Sequence, residues 1–200
     1  MPDAGRVIAG IARGRRLVAP AGGTRPFGDR VKQALFATLE PALPGARVVD
    51  LFAGSGAGGI EALSRGAAAC VFVEREAAAA ATIEENLRRT GLGGPGTAVV
   101  RRDAIAFLAA SSATWDLVLL DPPYGDPAML AALSRLGAGT LLAPGGTVVA
   151  KHFWRDELPE RTGRLMRVRV RRFGETTITL YRADAAPGGD AAEPGEGDGS

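Results

Sequence analysis

The chain has 200 residues, of which 46% are hydrophobic, and this length and composition indicate a globular domain large enough for a hydrophobic core. No apolar run approaches the roughly 18 residues of a membrane span, and no apolar signal core opens the chain, so we expect a cytoplasmic protein without a membrane partner. The single cysteine, Cys70, excludes an internal disulfide and a cysteine-based metal site, and its apolar neighbours indicate a buried thiol.

Charge is unevenly distributed along the chain. Residues 183–200 carry five acids and no base, so residues 1–182 hold 24 bases against 17 acids, a net charge of +7. Seven of these bases lie in residues 1–32, and seven arginines lie in residues 161–182. Such clustering favours binding to a nucleic-acid backbone. A GC-rich genome is an alternative explanation for the choice of arginine, but it does not explain the clustering.

Residues 1–44 are predicted to form a small appendage. Residues 6–11 and 15–19 alternate around Arg13-Gly14, which predicts a β-hairpin. Residues 22–28 are too rich in Gly and Pro for regular structure. A helix is predicted from Asp29, which can cap it, and Pro41 ends it.

Residues 45–182 alternate strand and helix patterns, which is the signature of a doubly wound α/β sheet. Strands are predicted near residues 47–53, 69–74, 97–102, 115–121 and 146–151, with helices near residues 58–65, 76–90, 103–110 and 127–137. Residues 165–172 and 176–181 predict an antiparallel hairpin with one wet, basic face. We therefore predict a seven-stranded, mostly parallel sheet with an antiparallel last strand and helices on both faces. Residues 183–200 have nothing to bury, and we predict a disordered acidic tail.

An acid and a glycine loop follow the first strand of this sheet. Asp50 lies at the strand end, and Gly54-Ser55-Gly56 precedes the helix, where glycines let a ligand approach the backbone closely. A dinucleotide-binding loop, as in an NAD-dependent oxidoreductase, is the alternative. A carboxylate before the loop would repel a pyrophosphate, however, and would attract a ligand with ammonium and sulfonium charges. S-adenosylmethionine is such a ligand.

Two further acids follow the next strands. Glu74 lies about twenty residues after the loop, where a carboxylate can accept hydrogen bonds from ribose hydroxyls. Asp103 could accept from an adenine amino group, and the N–H of Ala104 could donate to the same ring. The alternatives are a solvated strand end for Glu74 and a helix N-cap for Asp103.

The sequence Asp121-Pro122-Pro123-Tyr124 follows the apolar residues 117–120, which indicate a strand buried on both faces. The prolines end the ladder and leave carbonyls free. Asp121 and the Pro122 carbonyl can each accept a proton of a planar amino group, while Tyr124 stacks on its ring. A strand-ending turn with a packed tyrosine is the alternative.

These features resemble class I S-adenosylmethionine-dependent methyltransferases with a Rossmann-like fold and an amino-methylating Asp-Pro-Pro-Tyr motif. More closely, they resemble the bacterial guanine-N2 methyltransferases of 16S ribosomal RNA. The residues that carry the resemblance are 6–10, 13–17, 24–26 (Thr-Arg-Pro), 29–36 (which open with Asp-Arg-Val), 50–66, 73–74, 120–124, 172–176 and Tyr181.

The resemblance implies site residues by position. The catalytic residues would be Asp121, Pro122 and Tyr124. The cofactor-binding residues would be Asp50, Phe52, Gly54, Ser55, Gly56, Glu74, Arg75, Asp103, Ala104 and Asp121. The substrate-binding residues would be Arg6, Arg13, Arg15, Arg25, Arg30, Pro123 and His152, with Pro26 near both ligands; for His152 a structural hydrogen bond is the alternative. Phe27 and Gly58 depart from the family pattern, and no cluster of residues has metal-ligand spacing.

The implied substrate is 16S rRNA, within a 30S subunit or its assembly intermediate, and a monomer is expected. Two alternatives of other kinds stay open. A DNA adenine or cytosine amino methyltransferase would share Asp-Pro-Pro-Tyr, although 200 residues leave little room for a DNA-recognition domain. A non-catalytic RNA-binding module would share only the basic segments.

Overall fold

A computed structural model of the chain describes residues 2–20 and 28–184. They form a two-stranded sheet and an eight-stranded sheet. The small sheet consists of β1 (Asp3–Arg6) and β2 (Arg16–Val18), and the large one consists of β3 (Arg47–Leu51), β4 (Ala69–Val73), β5 (Thr97–Val100), β6 (Trp115–Leu120), β7 (Leu142–Phe153), β8 (Arg161–Thr162), β9 (Leu165–Phe173) and β10 (Thr176–Ala183). The helices are α1 (Asp29–Leu39), α2 (Ala57–Ser64), α3 (Ala77–Thr90), α4 (Ala104–Ala110) and α5 (Ala128–Ala138). Within these described residues, no helix is long and apolar enough to span a membrane.

The large sheet has the strand order β5-β4-β3-β6-β7-β10-β9-β8. Its first five strands are parallel, and β10 lies between β7 and β9, antiparallel to both. This confirms the predicted Rossmann-like fold with an antiparallel last strand, to which the structure adds the two-residue β8. Apolar side chains fill both sides of the sheet, and Cys70 lies in the core as predicted. A parallel sheet needs this cover, because its strands are apolar on both faces.

The C-terminal hairpin differs in two details from its prediction. The prediction gave β9 one solvated face, formed by its arginines. In the structure Val168 and Val170, which alternate with those arginines, are exposed as well. β10 continues to Ala183, and Asp184 forms an ion pair with Arg161. The described residues therefore extend to Asp184, two residues beyond the predicted end of the domain at residue 182; residues 185–200 of the predicted tail lie outside the described residues.

The N-terminal hairpin begins earlier than predicted, because residues 8–12 leave it and dock on α2. The N–H groups of Ile8 and Ala9 donate to the carboxylate of Glu61 at 2.8 and 3.0 Å. Ser64 accepts from the N–H of Ala12 and donates to the carbonyl of Ala9. At Gly10 a Cβ would lie 1.7 Å from the carbonyl oxygen of Ser64, so only glycine allows this approach.

The start of α1 also corrects a prediction. Asp29 is the first helical residue rather than the N-cap, which is Gly28. Its carboxylate pairs instead with Arg6 at 3.1 Å. The helix then packs Leu35, Phe36 and Leu39 into the core, so the appendage is part of the same hydrophobic cluster as the sheet.

Candidate active site

Three acids lie at the carboxyl ends of adjacent strands. Glu74 follows β4, Asp50 lies in β3, and Asp121 follows β6. Asp50 is in register with Phe72 of β4 and Leu119 of β6, and side chains alternate along a strand. Glu74 and Asp121, each two residues further on, therefore share the face of Asp50. The acids meet at one edge of the sheet, the position at which open α/β sheets bind ligands.

Asp50 is almost completely buried, with 4% of its surface exposed. Its Oδ2 accepts a hydrogen bond of 2.8 Å from the N–H of Gly59, which fastens the first turn of α2. The pKa of Asp50 is raised to about 8, chiefly by burial; the charges of Asp121 and Glu74 contribute to the rise, and the Gly59 hydrogen bond and Lys151 oppose it. A Cβ at Gly58 would lie 2.9 Å from Leu119 and 3.2 Å from the Asp50 carboxylate, so the departure from the family pattern leaves room for this acid.

The glycine loop between β3 and α2 has three residues with positive φ. These are Phe52 (62°), Gly54 (55°) and Gly56 (75°), and Phe52 is the only such residue other than glycine among the described positions. The amide nitrogen of Asn86 bonds the carbonyls of both Ser55 and Val18 at 2.8 Å, which ties the loop to the N-terminal hairpin. Asn86 was missed by sequence reasoning, because nothing in a helix interior signals a contact with two distant loops.

The carboxylates of Glu74 and Asp103 both accept hydrogen bonds from nearby backbone N–H groups. Glu74 accepts from the N–H groups of Gly54 and Glu76, both at 2.9 Å. Asp103 is the N-cap of α4, with its Oδ1 accepting from Ala106 at 2.9 Å; this is the alternative weighed from the sequence. Arg75 is largely exposed and pairs with Glu76, and Ala104 is buried. Contacts of Glu74 with a ribose, and of Asp103 and Ala104 with an adenine, stay predictions.

The acids and the glycine loop at this edge of the sheet fit S-adenosylmethionine. A buried acid with two acidic neighbours is costly to ionise alone, and a cationic ligand relieves that cost. A Cβ at Gly54 would meet only the carbonyl of Phe52, at 4.0 Å, so the loop has open space where a ligand can approach. Each carboxylate oxygen of Glu74 that already accepts a backbone N–H retains a further lone pair.

Asp121 forms an ion pair that the sequence reasoning missed. The Nζ of Lys151 lies 2.7 Å from both carboxylate oxygens of Asp121, and the two side chains are 12% and 22% exposed, respectively. Burial raises the pKa of Asp121, and the Lys151 ammonium opposes this. Asp121 and Lys151 follow Leu120 and Ala150, which are partners in the parallel strands β6 and β7, so the two side chains lie side by side. This register is a tertiary feature that no local sequence pattern shows.

Of the remaining residues of the Asp-Pro-Pro-Tyr motif, the last two reach the surface. Pro122 is buried, Pro123 is exposed and Tyr124 is 48% exposed. The Tyr124 hydroxyl lies 2.6 Å from the Thr176 hydroxyl, and its ring centroid is 5.7 Å from that of Phe153. The ring is thus fixed in orientation while part of its surface stays free.

The predicted substrate residues are less closely grouped. Arg13, Arg15 and Arg30 are exposed, and Arg6 pairs with Asp29. Arg25, with Pro26 and Phe27, lies outside the described residues.

His152 is only 6% exposed, and both of its ring nitrogens have protein partners at 2.9 Å, the Phe153 carbonyl and the Thr179 hydroxyl. Nδ1 must donate to the carbonyl, so Nε2 accepts from Thr179 in the neutral ring, and burial lowers the pKa of His152 accordingly. The geometry corresponds to the structural alternative, and contact of His152 with the substrate stays a prediction.

Comparison with known proteins gives one consistent result. The family described as "Conserved hypothetical protein 95" matches residues 5–182. "Putative rRNA methyltransferase YlbH" of Bacillus subtilis is 40% identical over 181 residues, covering 88% of this chain and 98% of that protein. "Ribosomal RNA small subunit methyltransferase D" of Escherichia coli is 33% identical, covering 93% of each chain. The solved structure of "Putative methyltransferase yhhF from Escherichia coli" superimposes with a TM-score of 0.81 at 32% identity, covering 90% of this chain and 98% of that one.

Proposed function

This chain belongs to the conserved hypothetical protein 95 family of S-adenosylmethionine-dependent methyltransferases, and we propose that it methylates the exocyclic N2 of a guanine in 16S rRNA during small-subunit maturation. One observation carries the choice of an amino group: Asp121 and the carbonyl of Pro122 lie at the strand edge shared with Asp50. The similarity to small-subunit rRNA methyltransferases along nearly the whole chain supports the choice of rRNA.

The chemistry requires two acceptors beside the amino nitrogen. The lone pair of guanine N2 is delocalised into the ring, so the nitrogen is a poor nucleophile. Asp121 and the Pro122 carbonyl accept its two N–H groups, which lets the nitrogen pyramidalise and direct its lone pair outward. When bound, S-adenosylmethionine would supply an electrophilic methyl group, so that the N2 lone pair forms the new N–C bond while the electrons of the broken C–S bond stay on sulfur. Asp121 offsets the positive charge on nitrogen until the surplus proton passes to water.

Lys151 acts as a positioning residue in this scheme. It contacts both oxygens of Asp121, so it fixes the plane of the carboxylate and favours the ionised form that accepts hydrogen bonds. Each oxygen retains a second lone pair for the substrate.

The target base must be unpaired or flipped, because a stacked base cannot bring its amino group to a recessed carboxylate. The exposed part of the Tyr124 ring replaces the stacking that the base gives up. The exposed arginines of the N-terminal hairpin, Arg13 and Arg15, contact the phosphate backbone around the target.

The test is to incubate the protein with labelled S-adenosylmethionine and three substrates: 30S particles from cells that lack the enzyme, the naked 16S rRNA, and duplex DNA. We expect label in 16S rRNA as N2-methylguanosine, with the Asp121→Ala variant as the inactive control. Label in DNA would favour the adenine or cytosine amino methyltransferase. Salt-sensitive RNA binding with no labelled product would favour the non-catalytic binding module.

A further inference from the structure

Three aromatic rings form a continuous series that starts at Tyr124 and ends at Trp154, and we call the Trp154 end its outer end. The ring centroids of Tyr124 and Phe153 are 5.7 Å apart, and those of Phe153 and Trp154 are 5.9 Å apart. Trp154 is 36% exposed, although it is a large apolar residue. We call the side chains of Tyr124, Phe153 and Trp154 the aromatic track.

Two arginines lie over the outer end of this track. The guanidinium carbon of Arg172 is 4.0 Å from the Trp154 ring centroid, and that of Arg155 is 4.7 Å from it. These distances are those of stacked guanidinium and aromatic groups. Two like charges over one ring repel each other, so an anion that contacts both is favoured.

These two arginines differ from others in the C-terminal cluster. Arg161 pairs with Asp184, and Arg167 pairs with Glu160. Over residues 2–20 and 28–184, neither Arg155 nor Arg172 has a carboxylate within ion-pair distance; Arg172 donates to the carbonyl of Gly174 at 2.8 Å. Their positive charge is therefore available for a ligand.

The backbone around Trp154 is held in place, so the surface is already formed. The N–H of Trp154 donates to the carbonyl of Glu175 at 3.0 Å, which joins the turn after β7 to the turn between β9 and β10. The acids of these two segments are Asp156, Glu157 and Glu175; Asp156 accepts from the N–H of Phe153 at 3.1 Å. A preformed surface reduces the entropic cost of binding.

We propose that Trp154, Arg155 and Arg172 bind an unpaired nucleotide that flanks the target base, with its phosphate between the guanidinium groups and its base stacked on the exposed planes. This inference rests on the proposed function, because it assigns Tyr124 to the target and the outer end of the aromatic track to its neighbour. Aromatic rings and arginine planes are the usual stacking surfaces for unpaired RNA bases.

The experiment measures binding of a fluorescent, unstructured RNA of about a dozen nucleotides, a length of the order of one single-strand site. Trp154→Ala should weaken binding on the order of tenfold, the expected effect of removing one stacking platform. Trp154→Tyr, which keeps a ring, should restore most of the affinity. The double variant Arg155→Gln/Arg172→Gln should reduce the slope of log Kd against log salt by about 0.7 for each phosphate that the protein no longer neutralises.

Arg135→Gln is the matched control, because this exposed arginine lies in the last turn of α5 and donates to the carbonyl of Ala109. It should bind RNA as the unmodified protein does. With 30S particles, Trp154→Ala should raise KM and leave kcat unchanged, and its affinity for S-adenosylmethionine should not change. A lowered kcat with unchanged RNA affinity would show a structural role and overturn the proposal.

The outcomes also separate this proposal from the proposed function. If no variant and not even the unmodified protein methylates 16S rRNA, the proposed function fails, and RNA binding still decides the role of Trp154. If Trp154→Ala binds the RNA as tightly as the unmodified protein does, the nucleotide site is overturned. A loss of affinity seen with 30S particles but not with the RNA would indicate a ribosomal protein partner and would also overturn it.

Discussion

Two lysine–carboxylate pairs of this protein, Lys32–Glu61 and Lys151–Asp121, differ in burial and in their hydrogen bonds. Lys32 and Glu61, under the N-terminal hairpin, both have completely buried side chains. Glu61 accepts from Ile8, Ala9 and Arg65, while Lys32 donates to the carbonyl of Arg6 at 2.5 Å. Burial lowers the pKa of Lys32, and the charges of Glu61 and Asp29 oppose this. The carboxylate of Glu61 and the ammonium of Lys32 therefore both have hydrogen-bond partners within the protein.

The second pair, Lys151 and Asp121, is less complete. Within the part of the chain that the structure describes, Lys151 is the hydrogen-bond partner of the Asp121 carboxylate, and the pair retains partial access to solvent. The comparison teaches that a fully satisfied buried acid holds elements together, whereas a partly satisfied one at a strand edge retains acceptor capacity for a ligand. Four changes test this distinction.

The largest effect is expected at Glu61. Glu61→Ala removes the central acid of a buried ionic network: Lys32 and Arg65 each lose one partner, and two backbone N–H groups lose their acceptor, so the free energy of unfolding should fall by about 3–5 kcal/mol. Urea denaturation measures this. Glu40→Gln is the control, since Glu40 binds the same Arg65 from the surface and should cost no more than about 1 kcal/mol. Equal losses of stability in the two variants would show that Glu61 stabilises the protein no more than a surface acid does.

Asp121 should show the opposite behaviour. Asp121→Ala should lower methyl transfer on the order of 10²–10³-fold, the range for removing one preorganised electrostatic group. The affinity for S-adenosylmethionine should fall far less than turnover does, because Asp121 is one of several acids at the cofactor site, and the midpoint of thermal unfolding should change little. Turnover is measured with 30S particles and affinity by calorimetry. Unchanged methylation would exclude Asp121 from the mechanism.

Lys151→Met should produce a pH-dependent loss of activity. The ionised form of Asp121 accepts the substrate hydrogen bonds, so activity rises as the pH passes the pKa of Asp121. Burial raises this pKa and Lys151 opposes the rise, so the variant should need a higher pH for the same activity. Lys151→Arg keeps the charge and should restore the original profile. A loss of activity that is equal at every pH would assign Lys151 a different role.

The smallest expected effect is the release of a proton by Asp50 when a ligand binds, and it is measured on the unmodified protein. With a pKa of about 8, Asp50 is mostly protonated at pH 7 in the free protein. A cationic ligand favours the ionised form, so binding of S-adenosylmethionine should release up to about one proton. Titration calorimetry in two buffers with different ionisation enthalpies measures this release. Asp50→Asn should abolish it, and proton uptake by the unmodified protein would contradict the assignment.

Much of the fold followed from local patterns. The apolar run before Asp121 indicated a buried strand, and the spacing of Asp50, Glu74 and Asp103 indicated the ends of successive strands. Parallel strands connected by helices bring those ends to one edge, so the position of the acids could be derived before any contact was known.

The contacts that complete the site could not be derived in this way. Asp121 and Lys151 are 30 residues apart, and Ile8 and Glu61 are 53 residues apart. The hairpin prediction failed at residues 8–12 for the same reason, because hydrogen bonds to α2 replaced the local alternation as the deciding interaction.

The sequence by itself determined the order of strands and helices, the buried thiol of Cys70 and the acids at the strand ends, because periodicity and turn chemistry are local properties. Only the tertiary structure decided which of these acids is satisfied by the protein and which retains acceptor capacity. That distinction depends on partners brought in from distant elements, and burial makes each such partner count more than it would in water.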